Sequence, residues 1–426
     1  MNCYIIEGGR PLRGEINLQG SKNSALPILA ATLLNRGVSV IENCPDIKDV
    51  ETATEILKAL GCTVSKEKNR ITVDSSNCGK YIIKEELMCK MRSSVMFLGG
   101  LLAVNKQAVI CYPGGCCLGE RPIDIHISAL KAMGASIYEI YGSFYCLLDK
   151  GKSAEINLSY PSVGATENIM ICATLSKGRV VINNPAREPE IVELANFINK
   201  MGGNIKGAGT EKIIIKGVRK LKKYVSYTVE PDRIACITYM TYGVLTGGKV
   251  KINNAPLTNI INELEAFSSM GCKISLSENS VEIEREGKLN SFGKITTMPY
   301  PGFPTDSQPF MCLMGTACEG ESVIEETVFE NRFVYASELR NFGINAVCKD
   351  NKLYISECHI KNGKAYACDL RGGAALTGAA LMAEGESRIY NIEHIDRGYE
   401  KFEENIKSLG GKITRYYEEE SAEGIG

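Results

Sequence analysis

A glycine that closes an amphipathic stretch recurs six times along this chain at near-constant spacing, and no other feature restricts its fold as severely. The glycines are Gly61 in ILKALGCTV, Gly134 in ALKAMGASI, Gly202 in FINKMGGNI, Gly271 in FSSMGCKI, Gly343 in ELRNFGINA and Gly410 in NIKSLGGKI. Neighbouring members lie 73, 68, 69, 72 and 67 residues apart, so six copies of one unit fill the 426 positions. Glycine suits the end of a helix because the capping residue commonly needs a left-handed backbone that other residues adopt only with strain. A short strand precedes the helix in most copies, as in GVSVIEN, GRVVINN, GKVKINN, ESVIEE and ESRIYN. Strand, turn, helix and strand in repetition predict an α/β protein whose helices pack their apolar stripes on sheets. A solenoid scaffold would show the same repeat, although neither terminus carries a polar capping unit.

The second copy breaks the pattern. From the strand isoleucine to the closing glycine the distance is 19 to 21 residues in the other copies (from Ile41, Ile182, Ile252, Ile324 and Ile389), but 24 from Ile110. The extra residues fall in CYPGGCCLGERP, where prolines rim a glycine-rich loop holding Cys116, Cys117 and Arg121. A loop that outgrows its equivalents is a place for function, and a thiol beside a guanidinium is a candidate acid or nucleophile.

Size and charge narrow the classes. A chain this long predicts two compact units rather than one core. Lysine and arginine number 49 against 50 acidic residues, so no global field favours nucleic acid or anionic lipid, and an anionic ligand must be held by a local cluster. The 17 cysteines include no Cys-x-x-Cys pair and the histidines are only three, which argues against zinc modules and a disulfide scaffold. No metal or other cofactor is expected. The first residues lack signal-peptide character and no apolar run approaches the roughly 20 residues of a membrane span, which predicts a cytoplasmic protein without membrane insertion.

Several side chains stand out as candidates for anion chemistry. Lys22 and Asn23 follow Gly20 and Ser21 at the start of an apolar helix, where free backbone amides suit a phosphate, but a solvated capping turn has the same sequence. Arg92, Arg121, Arg332, Arg371 and Arg397 lie at turns; converging, they would grip a small anion bidentately, whereas singly each reads as a surface ion pair. Asp306 in GFPTDSQ is a candidate base or a turn residue; Asp49, His126 and His394 read as structural, and KGVRKLKKY as a solvated face.

Taken together, GSKNSALP, PGGCCLGERPIDIHI, PSVGATENIM, PAREPEI, EPDRI, FPTDSQ, VFENRF, DLRGG and HIDRGYE, in this order, closely resemble the UDP-N-acetylglucosamine enolpyruvyl transferases over essentially the whole chain. The resemblance implies an inside-out α/β barrel of two similar domains, each built of three βαβαββ-type units. It places the domains at residues 1–21 plus 231–426 and at 22–230, the second carrying a flap at about 111–122. The implied reaction moves the enolpyruvyl group of phosphoenolpyruvate to the 3′-hydroxyl of UDP-N-acetylglucosamine and releases phosphate, the first committed step of peptidoglycan synthesis.

By the same resemblance Cys116 would protonate the methylene carbon, and the epoxide fosfomycin would alkylate it. Lys22, Arg121 and Arg397 would hold the phosphate, with Arg332 and Arg371 on the rest of the anion. Asn23 and Asp306 would orient the sugar hydroxyl, Asp306 as base. Arg92, Arg121, Pro122, Ile123, Asp124, Ile125, Tyr160, Ser162, Val163 and Val328 would hold the nucleotide sugar; Tyr160 and Pro161 depart from the residues some members carry there. A shikimate 3-phosphate acceptor and a catalytically silent sugar-nucleotide binder are the alternatives.

Overall fold

A computed structural model describes residues 2–114 and 123–417. All six repeat glycines close their helices with a left-handed backbone, φ running from 78° at Gly343 to 102° at Gly202, as the capping argument requires. After each of the first five comes a strand that pairs antiparallel with the next, forming the outer hairpin of a sheet, and the strand after Gly410 pairs antiparallel with Asn2–Gly8 instead.

The sheets repeat one topology. Strands Ala154–Asn157, Arg179–Asn183, Lys212–Lys216 and Ile205–Lys206 lie side by side in that order, the first pair parallel and the others antiparallel. Four further four-stranded sheets have the same arrangement, around Val38–Glu42, Lys249–Asn253, Glu321–Glu325 and Gly385–Tyr390. The second copy has three strands, its fourth reduced to a bridge between Ile82 and Val109. No closed barrel forms among the described residues, since hydrogen bonding stops at each sheet's edge.

Sequence-distant strands complete three of the sheets, Tyr224–Thr228 pairing parallel with Val38–Glu42 in one of them. The sheet of the last copy takes Asn2–Gly8 as the partner of both Gly385–Tyr390 and Lys412–Tyr417, so the first strand stitches the end of the chain into place. Strand Arg13–Asn17 likewise pairs parallel with Lys249–Asn253.

Two kinds of helix serve these sheets. Lys48–Ala59 and Pro189–Lys200 are amphipathic and bury one stripe. The helices Lys22–Ala31, Phe97–Asn105, Val163–Ala173, Arg233–Leu245, Gln308–Thr316 and Leu370–Met382 are apolar nearly all round and are buried accordingly. The first three share one hydrophobic cluster drawn from residues 25–229, and the last three share another drawn from 4–18 and 234–413.

The chain passes between the clusters twice, and the two passages are bonded to each other. Gly20 bridges Pro231, Ser21 N donates to the Glu230 carbonyl at 2.8 Å, and Asp232 N donates to the Gln19 carbonyl at 2.9 Å. A Cβ on Gly20 would stand 1.8 Å from the Asn43 carbonyl oxygen, so only glycine fits this crossing.

Candidate active site

A cavity of about 420 Å³ opens beside the double crossing and is lined from both clusters. Its cations arrive on the starts of buried helices. Lys22 begins Lys22–Ala31, capped by Ser21; Arg233 begins Arg233–Leu245, capped by Asp232; Arg371 lies in the first turn of Leu370–Met382, capped by Asp369. Asp232 also accepts the Lys22 backbone N–H at 3.2 Å, which ties two of these starts together. Three helix N-termini and their cations aimed at one space make a pre-formed anion site.

The charges are interlocked. Lys22 Nζ lies 2.7 Å from Asp49 Oδ2, and Arg397 Nε lies 2.9 Å from Asp49 Oδ1. Burial pushes the Lys22 pKa down, Asp49 opposes, and Arg397 and Arg371 push it down again, leaving it below the usual lysine value. Burial would raise Asp49, but Lys22 and Arg397 outweigh it and hold the carboxylate ionised. Arg332 Nη2 contacts Asp306 Oδ1 at 2.7 Å, and Arg332 Nη1 lies 3.8 Å from Asp369 Oδ1. Asp306 is held below its usual value in the same way: burial is overcome by Arg332, Arg371, Arg233 and Lys22. Arg371 Nη1 is buried without a hydrogen-bond partner among the described residues, its guanidinium stacked 5.3 Å over Tyr399.

A second wall is acidic. Arg233 pairs with Glu190 at 2.9 Å, both nearly buried. Glu167 has no solvent exposure, neither of its carboxyl oxygens has a partner among the described residues, and burial followed by Glu190 and Glu188 raises its pKa well above the normal range. Both effects disfavour the ionised form of Glu167. Beside it Asn168 donates to the Val95 carbonyl and to His126 Nδ1, both at 2.9 Å, while its oxygen accepts Gly99 N–H. Burial and Arg92 lower His126 to about 4, so the ring is neutral and carries its proton on Nε2, next to Gly164 in the cavity wall.

Of the residues singled out from sequence, Lys22, Asn23, Arg92, Tyr160, Ser162, Val163, Asp306, Val328, Arg332, Arg371 and Arg397 line this one cavity. Ile123, Asp124 and Ile125 do not: Ile123 is buried in the core, Asp124 is exposed in the first helical turn, and Ile125 packs on the core. Cys116, Cys117, Arg121 and Pro122 lie outside the described residues. Sequence reasoning assigned Asp49 and His126 to structural roles and gave Glu167, Glu188, Glu190, Arg233 and Asp369 none. The fragments PAREPEI and EPDRI carried three of these, but nothing in sequence shows that they meet.

The sequence model describing EPSP synthase (3-phosphoshikimate 1-carboxyvinyltransferase) matches residues 6–406. The chain belongs to this enolpyruvyl transferase family. Among its curated relatives, UDP-N-acetylglucosamine 1-carboxyvinyltransferase 2 of Caldanaerobacter subterraneus subsp. tengcongensis is 44% identical, covering 97% of this chain and 100% of the relative. The UDP-N-acetylglucosamine 1-carboxyvinyltransferase of Finegoldia magna is 42% identical, covering 97% and 99%. Among solved structures, the family's enolpyruvyl transferase NikO from Streptomyces tendae superposes with a TM-score of 0.89 at 25% identity, covering 97% of this chain and 98% of NikO. EPSP synthase from Acinetobacter baumannii shares the fold at a TM-score of 0.74 and 16% identity, covering 98% and 100%. No described helix is long and apolar enough to cross a membrane.

Proposed function

We propose that this cavity transfers the enolpyruvyl group of phosphoenolpyruvate to the 3′-hydroxyl of UDP-N-acetylglucosamine, releasing phosphate and supplying peptidoglycan synthesis. The observation that carries this reading is the convergence of Lys22, Asp306, Arg332, Arg371 and Arg397 on one cavity in a chain more than 40% identical, end to end, to enzymes of that name.

In this reading Lys22 and Arg397 hold the phosphate, joined by Arg121, while Arg332 and Arg371 take the carboxylate. Arg371 lines the cavity with a guanidinium that carries no carboxylate partner among the described residues, which leaves its charge available to an entering anion. Protonation of the methylene carbon by the Cys116 thiol makes the adjacent carbon cationic, and the sugar hydroxyl adds there while losing its proton to Asp306. Departure of phosphate with a proton from the new methyl group restores the double bond, and the surrounding guanidiniums stabilise the leaving anion. Asp306 enters this scheme bound to Arg332. A substrate carboxylate competes for that guanidinium and frees the aspartate to act as base, which couples anion binding to base activation.

The nucleotide sugar would lie along Arg92, Tyr160, Ser162, Val163 and Val328, with Asn23 on the reacting hydroxyl. The two hydrophobic clusters correspond in this reading to domains 1–21 plus 231–426 and 22–230, each an inside-out barrel of three repeat units with helices inward. The protein would work in the cytoplasm, on small molecules alone, without a cofactor.

Phosphate release from phosphoenolpyruvate decides the matter. UDP-N-acetylglucosamine should support turnover and shikimate 3-phosphate should not; the opposite preference assigns the acceptor named in the family description. Tight binding with no turnover toward either acceptor would indicate a silent binder. Cys116→Ser should abolish most release while Cys117→Ser retains it.

A further inference from the structure

Two cysteines outside the cavity are brought together by the backbone. The segment before helix Glu85–Met88 runs alongside strand Gln107–Cys111, Val109 N donating to the Tyr81 carbonyl at 2.9 Å and Ile83 N to the Val109 carbonyl at 3.0 Å. A few residues later Gly114 N donates to the Met88 carbonyl at 3.1 Å, and a Cβ on Gly114 would meet the Cys89 carbonyl oxygen at 2.4 Å and its Cα at 2.8 Å. Cys89 and Cys111 are bracketed between these two fixed contacts, which bring their thiols near enough to act on each other electrostatically.

We infer that Cys89 and Cys111 form a reversible intramolecular disulfide, a modification site that reacts with low-molecular-weight disulfides such as oxidised glutathione. Cysteines held this near each other by the backbone can reach bonding geometry by side-chain rotation. Cys89 is exposed and makes the first attack; Cys111 is half-buried, and burial, Cys89 and Glu85 raise its pKa, so it follows as the second thiol. In the first step Cys89 Sγ bonds to one sulfur of the small disulfide, whose other sulfur departs and takes up a proton. In the second, Cys111 loses its proton and its sulfur bonds to Cys89 Sγ, expelling the second small thiol. The protein pair gives up two electrons and the small disulfide gains them.

The chain contains its own contrast. Cys62 and Cys78 also act on each other electrostatically, but their exposures are 6% and 1%, so no small disulfide reaches them in the folded protein. The bridge at Cys89 would sit three residues before Arg92, fastening the segment that carries this cavity residue to strand Gln107–Cys111. The inference does not depend on the reaction proposed above.

The test is differential alkylation of the full chain equilibrated in glutathione buffers of graded potential, with the linked peptides mapped by mass spectrometry. Alkylation of Cys89 and Cys111 should fall together by about tenfold or more at oxidising potentials and recover with dithiothreitol, while Cys62 and Cys78 stay unchanged. Cys111→Ser should trap glutathione on Cys89, and Cys89→Ser should leave Cys111 unmodified. Circular dichroism of the oxidised chain should match that of the reduced one. A bridge from Cys89 to any other cysteine, free thiols at both positions under full oxidation, or linkage only in unfolded protein would overturn the inference.

Discussion

The Asp49 carboxylate stands between Lys22 and Arg397, accepting Nζ of one at 2.7 Å and Nε of the other at 2.9 Å, so two cations from opposite clusters share one buried anion. Without it the two cations would face each other uncompensated. Asp49→Ala should lower stability by about 3 to 5 kcal/mol, because removing one partner of a buried ion cluster leaves the others uncompensated. Asp49→Asn should lose a comparable amount, since it keeps one acceptor but turns an NH2 donor toward the other cation. Urea unfolding of the three proteins checks both. The same carboxylate contributes to acid sensitivity: its folded pKa lies below its unfolded value, so its stabilisation is complete above the unfolded pKa and is lost as pH falls through the folded one.

Lys22 should fix the alkaline limb of activity. Its pKa is lowered by burial, with Arg397 and Arg371 adding to the effect, so it loses its proton below the pH at which an exposed lysine does. KM for phosphoenolpyruvate should therefore climb on that limb while kcat changes less. Lys22→Arg keeps the charge and should move the limb upward, even at a loss of about tenfold or more in kcat/KM from the altered geometry. A limb that stays where it was would assign the ionisation to another group.

Glu167 offers a pH test with the opposite sign. Its folded pKa is raised above the unfolded value, so the stability linked to its proton is complete below the unfolded pKa and lost as pH rises through the folded one. Glu167→Gln preserves shape without an ionisable proton. Its thermal midpoint should vary less between pH 5 and 8 (about the range over which domains of this kind are most stable) than that of the parent, and at neutral pH it should equal or exceed it.

Fosfomycin should inactivate the protein by bonding to a single cysteine. Opening of its epoxide by the Cys116 sulfur adds the whole inhibitor mass to one peptide, and phosphoenolpyruvate should slow the process by occupying the same cations. Cys117→Ser should be inactivated as fast as the parent and Cys116→Ser not at all. An unmodified Cys116 in fully inhibited protein would contradict the assignment.

Gly20→Ala should cost more than any other glycine-to-alanine change at the crossing, because its Cβ would collide with the Asn43 carbonyl at 1.8 Å and push apart the two passages that hold Lys22 against Asp232. A loss of about 3 kcal/mol or more, with activity falling further than stability alone explains, is the expected outcome. Thermal unfolding and phosphate release measured on the same preparation separate the two effects.

The repeat was legible from glycines alone because a left-handed helix end is a local requirement, satisfied or not within a few residues of chain. The expected apolar stripe is present in Lys48–Ala59 and Pro189–Lys200, whereas the six helices apolar all round depart from that expectation, because they have no face to give to water. The site divides differently. Lys22, Asp306, Arg332, Arg371 and Arg397 drew notice as residue types at turns and helix starts, yet a guanidinium in an exposed ion pair has the same local sequence as one in a binding cleft. Asp49 looked like a turn residue, and only the meeting of the two clusters gives its carboxylate two cations from distant segments. Glu167 reads as an ordinary polar helix position until neighbouring helices remove its water and bring up Glu188 and Glu190. Backbone conformation, capping and apolar patterning are short-range and stand in the sequence; partner, dielectric and charge state arise from residues hundreds of positions apart, and those the tertiary structure alone decided.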